Sequence, residues 1–118
     1  TTFGLKHKAI LNVERAIRRN RHVIVSYLYQ DPQISWRFVK DRTRKGSRYV
    51  PRDFFIDNFF LARENANEVK EIFKEKVVLV IFILDENHKV ITSIFNIDNI
   101  DNYVKIRYTK SWLEKNLK

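Results

Sequence analysis

Val77 to Leu84 is an unbroken apolar run, Val-Val-Leu-Val-Ile-Phe-Ile-Leu, set between Lys74-Glu75-Lys76 and Asp85-Glu86-Asn87-His88. It is too short to cross a membrane, which takes about twenty residues. It is the right length for a strand, and its β-branched content favours one. A strand with no polar face reads as central and buried on both sides. A chain that contains such a strand must also supply neighbouring strands and a covering layer of helices.

The remaining sequence reads as that supply. Leu5 to Asn20 places Leu5, Ala9, Ile10, Val13, Ala16 and Ile17 at helical spacing, an apolar stripe with basic residues crowding its last turn. His22 to Gln30 alternates as a strand. After the turn Asp31-Pro32-Gln33, Ile34 to Val39 alternates again, and the two are expected to form an antiparallel hairpin. Phe54 to Ala62 is expected to be a short buried helix, opened by Pro51 and Asp53. Asn65-Ala66-Asn67-Glu68 reads as a capping box that starts another helix. Val90 to Ile97 returns beside the apolar run, Tyr103 to Tyr108 alternates as a last strand, and Ser111-Trp112-Leu113-Glu114 caps a terminal helix. The expected fold is α+β: one small domain over residues 1–118, with a mainly antiparallel sheet of about five strands and helices packed on one face.

A chain of 118 residues buries roughly two-thirds of its unfolded surface and needs no staples. It has none, because it contains no Cys. That excludes a disulfide scaffold, a thiolate metal site and a Cys nucleophile. Thr1 to Lys6 has no apolar h-region behind a basic start, so a soluble cytoplasmic protein is expected.

The net charge of +9 is unevenly placed. Residues 1–52 hold 13 basic and 3 acidic side chains, a net of +10, while residues 53–118 hold 10 basic and 11 acidic, a net of −1. Nine of the eleven Arg lie in the first part. Arg has a planar fork suited to bidentate phosphate contacts and to stacking. Residues 40–52 are expected to be a basic loop around Gly46. Tyr29, Trp36 and Tyr49 stand close by in the sequence.

This pattern points to a polyanion partner. The expected gripping residues are Arg15, Arg18, Arg19, Arg37, Arg42, Arg44, Lys45, Arg48 and Arg52, with Tyr29, Trp36 or Tyr49 stacking on bases. The expectation is a small nucleic-acid-binding accessory factor, RNA or DNA, of phage or mobile-element character. A second reading, of another class, is a protein-interaction module or inhibitor that docks its basic half on an acidic protein partner. A third is a small ribonuclease using His22.

Chemical motifs are sparse. Glycine occurs only at 4 and 46, so no Gly-x4-Gly-Lys-Ser/Thr phosphate loop is present. His7, His22 and His88 are scattered, and no zinc spacing or nucleophile elbow occurs. Asp53 and Asp57 would share a helix face, and Glu68-Val69-Lys70 matches a short nuclease element, but capping and turn roles explain these carboxylates better. No catalytic residue, cofactor or metal is expected.

Ala16-Ile17, Val23 to Tyr27, Val50-Pro51 and Phe59 to Ala62 together resemble, faintly and over about half the chain, WYL domains, which are barrel-like ligand- and nucleic-acid-sensing modules. The resemblance implies a hairpin over Phe54 to Ala62, where the residues read as a helix, so no family is adopted.

Overall fold

The computed structural model describes residues 6–118, and their side chains from Lys8 onward. The chain runs α1 (Lys6–Arg18), β1 (Val23–Tyr29), α2 (Pro32–Arg44), α3 (Arg52–Phe73), a 3-10 turn (Lys74–Lys76), β2 (Val77–Leu84), β3 (Val90–Ile97), a second 3-10 turn (Ile100–Asn102) and α4 (Lys110–Asn116).

The α+β class holds, but the sheet has three strands in the order β1-β2-β3, not five. It is mixed, with β1 parallel to β2 in continuous register from Val23–Val77 to Tyr29–Ile83. β2 pairs antiparallel with β3, with shifts between Leu79 and Ile81 and between Ile83 and Leu84. A parallel pair needs a crossover that carries the chain back to the starting end. Here α2 and α3 are that crossover.

Two expected strands are absent. Ile34 to Val39 lies inside α2. Asp31 caps this helix, accepting from the Gln33 amide at 2.9 Å, and Pro32 occupies its first turn, where a missing N–H costs nothing. What read as a turn before a strand is therefore a helix start. Tyr103 closes the second 3-10 turn with helical backbone, and residues 104–108 join no strand of the sheet.

Residues 40–44, expected in a basic loop, complete α2. Gly46 then ends it at φ 94°, while Ser47 and Gly46 donate to the carbonyls of Arg42 and Thr43 at 2.9 and 3.1 Å. This is the double bond of a left-handed C-cap, which glycine adopts without steric cost. Asn20 (φ 54°) closes α1 in the same way, with Arg21 reaching Ala16 and Asn20 reaching Ile17.

The two helices expected around Phe54–Ala62 and from Asn65 are one 22-residue helix, α3. Asn65 is buried mid-helix and starts nothing. A continuous α3 also removes the hairpin that a WYL domain would need. Lys70, near its end, is 7% exposed and donates to the carbonyls of Lys74 and Val77 at 2.9 and 2.7 Å. Its ammonium thus satisfies orphan carbonyls at the helix end and sets the start of β2. α4 is capped by Thr109, not Ser111: the hydroxyl accepts from the Trp112 amide at 3.1 Å.

Two apolar clusters hold these elements. One joins Val13 of α1, Val25 and Tyr27 of β1, Ala66 and Val69 of α3, and Val77, Leu79 and Ile81 of β2. The other joins Trp36, Ile56, Leu113 and Leu117, tying α2, the first half of α3 and α4 together. No helix among the described residues packs over the opposite face of the sheet. Ile24, Leu28, Ile91 and Phe95 are 59–66% exposed there, although β2 beneath them is mostly buried.

Candidate functional site

The basic residues of α2 divide by helical spacing. Trp36, Val39 and Thr43 turn inward. Arg37 and Arg44 fall on one outer flank and Arg42 on the other, while Lys40 lies one turn after Trp36 and shares the Lys118 carbonyl with it. After the Gly46 cap, residues 47–51 carry exposed Arg48 and Tyr49, the latter 70% exposed. Arg37, Arg42, Arg44 and Arg48 are all exposed and have no ion pair among the described residues.

Other expected residues are committed within the fold. Arg18 pairs with Glu14 at 3.7 Å and Lys45 with Asp41 at 3.0 Å. Arg52 donates to the Leu117 carbonyl at 3.0 Å. Trp36 is 8% exposed, stacks obliquely on Phe55 at 5.1 Å and donates its indole N–H to the Lys118 carbonyl at 2.8 Å. Tyr29 is half-buried against Phe59, and burial raises its pKa. Of the three aromatics expected to stack on a ligand, only Tyr49 projects freely. Arg15 and Arg19 are exposed on α1 and in the turn after it.

Asp57 and Asp101 have structural partners. Asp57 holds Lys110 at 3.0 Å, and that bond raises the lysine pKa. Asp101 meets Arg63 at 3.4 Å. Glu68 and Lys70 sit on a helix, where no strand-borne nuclease element can form. His22 is exposed, and the His7 side chain lies outside the described residues.

Sequence reasoning missed a cleft of about 330 Å³ over the carboxyl ends of β1 and β2, edged by Leu28, Gln30, Phe54, Phe59, Leu84 and His88. In open sheets with parallel strands, ligands settle at that end. Gln30 organises it. Its amide donates to the Asp85 carbonyl at 2.9 Å, and its carbonyl oxygen accepts from Ser35 Oγ at 2.7 Å and faces His88 Nδ1 at 3.3 Å. Asp85 shapes the rim by accepting the amides of Asn87 and Lys89, and the Lys89 amide above all holds its carboxyl below the usual carboxylate range. The signal in the sequence was slight: a Gln directly after an apolar strand, and a His in a turn.

The arrangement is that of an α+β domain with one parallel strand pair, a helical crossover, a cleft at the strand ends and a basic helix beside it. The Zeta toxin family model matches residues 1–100, and the chain belongs to that family. No curated protein and no solved structure matches it. The match overturns the expected role as a small nucleic-acid-binding accessory factor, and the burial of Trp36 and half-burial of Tyr29 remove most of the stacking surface that role required. No helix among the described residues is long and apolar enough to cross a membrane.

Proposed function

We propose that this domain acts as a toxin whose basic half is held by an acidic protein partner. The observation that carries the reading is the Zeta toxin match over residues 1–100. A cell that makes a toxin needs a means of restraining it, and a protein with its whole charge excess in residues 1–52 favours an acidic one. Complementary charge speeds such an encounter and rejects wrong partners. The contact is assigned to Arg37, Arg42, Arg44 and Arg48 with Tyr49, supported by Arg15 and Arg19. Arg18, Lys45 and Arg52 contribute less, since each already has a partner in the fold. A kinase-like toxin would need a glycine-rich phosphate loop, and these 118 residues have glycine only at 4 and 46. The reading therefore rests on binding and assigns no transfer step to these residues.

The test is inducible expression in a bacterial culture, with and without co-expression of an acidic protein partner. The expected result is growth arrest that the acidic protein relieves. The variant Arg37→Glu/Arg44→Glu/Arg48→Glu should still arrest growth but escape relief. Normal growth at confirmed soluble expression would sink the toxin reading. Relief of the triple variant as complete as that of the parent would remove these arginines from the contact.

A further inference from the structure

The two edges of the sheet are treated differently. β3 carries register shifts against β2 and a left-handed residue, Asn96 at φ 58°, all of which twist an edge away from neighbours. β1 has no such defence. Its seven residues, Val-Ile-Val-Ser-Tyr-Leu-Tyr, contain no charge and no proline. It pairs with β2 without a shift, and β2 is its only strand neighbour among the described residues. Natural edge strands are normally blunted by charge, proline or bulges because their free N–H and C=O groups invite another strand.

A groove of about 440 Å³ runs along that edge, floored by Ala9, Val13 and Ala16 of α1 and flanked by Ile24 and Leu28 of β1. Small side chains on the helix keep it open. Lys8, Asn12 and Arg15 follow at i, i+4 and i+7, so they form one stripe beside the Ala9–Val13–Ala16 stripe. Arg19 continues this basic wall from the turn after α1. Lys8, Arg15 and Arg19 are exposed, with no ion pair among the described residues. Ile24 is 65% and Leu28 59% exposed.

We infer that the outer edge of β1 is the anchoring site for an extended, acidic segment of a protein partner, which adds to the sheet as a fourth strand. Backbone hydrogen bonds to β1 provide the affinity, as in other cases of strand addition. Alternate apolar side chains of the segment cover Ile24 and Leu28. Its carboxylates face Lys8, Arg15 and Arg19, and this charge match selects an acidic partner over a second copy, which would bring its own basic stripe to the same wall. The inference rests on the acidic-partner reading above and adds to the contact at Arg37, Arg42, Arg44 and Arg48 a second one, where a segment of the same partner anchors.

The probe is a fluorescent peptide of about ten residues, strand length, alternating Thr with Val or Ile and ending in two Asp on each side. Anisotropy with the full chain should show saturable binding. N-methylation of alternate peptide amides should weaken it about tenfold, the effect of losing one to two net hydrogen bonds. Ile24→Lys should weaken it similarly, and circular dichroism checks that this exposed substitution leaves the fold intact. Lys8→Glu/Arg15→Glu should weaken it severalfold, while Lys105→Glu/Lys115→Glu, the same change in net charge at exposed lysines outside both contacts, weakens it less. Absent binding, or binding indifferent to N-methylation, overturns the inference. So does a concentration-dependent dimer that Ile24→Lys abolishes, since a second copy would then occupy the edge. Peptide binding without growth arrest would count against the toxin reading alone.

Discussion

The Tyr108 hydroxyl donates to Oδ2 of Asp31 at 2.6 Å, across 77 positions of sequence. The other oxygen of that carboxylate caps α2 through the Gln33 amide. One aspartate thus starts the crossover helix and fastens the segment that leads into α4. Trp36 and Arg52 reinforce the tie through the carbonyls of Lys118 and Leu117.

Tyr108→Phe removes this bond and keeps the ring, which packs against Trp112 at 5.1 Å. The expected loss is about 1–2 kcal/mol, the range of a hydrogen bond to a charged acceptor that is partly open to solvent. Urea denaturation should show a lower midpoint at an unchanged slope. An unchanged midpoint would mean that the bond contributes nothing net.

Alkaline pH should act on the same contact. The Asp31 bond, with desolvation behind it, pushes Tyr108 from 10.0 to about 12, and burial pushes Tyr27 from 10.0 to about 12 against the opposing pull of Arg63. Both pKa values are raised in the folded state. Their contribution is therefore complete below pH 10 and is lost as pH rises through about 12, since the unfolded chain releases these protons first. Phenolate absorbance should show two of the five tyrosines ionising only near pH 12 or together with unfolding. Loss of stability beginning near neutrality, with both tyrosines still protonated, would assign alkaline unfolding to other groups.

Ile56 is fully buried where α2, α3 and α4 meet, while Phe54, two residues before it, is 61% exposed. Ile56→Ala should cost about 2–5 kcal/mol, the transfer of the side chain plus the cavity it leaves. Phe54→Ala should stay within about 0.5 kcal/mol. Thermal melts of the two variants compare them directly, and equal shifts would mean that α4 does not close over α3 as described.

Elements whose information is local were legible. The runs at β2 and β3, the alternation of β1 and the stripe of α1 each carry their own period, and each is an element of the fold. Ile34 to Val39 misled because Ile34, Trp36 and Phe38 also satisfy a two-residue period. The deciding contacts are those of Trp36 with Phe55 and the Lys118 carbonyl, which lie far along the chain. The capping pattern at Asn65 was a true local signal overridden by the continuous packing of α3.

The candidate site divides the same way. Charge depends only on residue type, so the basic half could be counted. Whether Tyr29 and Trp36 were available to a ligand depended on which helix covers them. The cleft joins Gln30 to His88 and to the Asp85 carbonyl, 58 and 55 positions apart, and no periodicity reports such a meeting.

By itself, the sequence determined the class of fold, the identity of the central strand and the charge asymmetry, because each follows from residue type and spacing within a few turns of chain. Tertiary structure alone decided that β1 runs parallel to β2, that no further strand among the described residues pairs with its outer edge and that the cleft lies at the strand ends. A strand's hydrogen-bonding groups are the same whichever neighbour they meet, so only the path of α2 and α3 across the sheet could choose the neighbour and its direction.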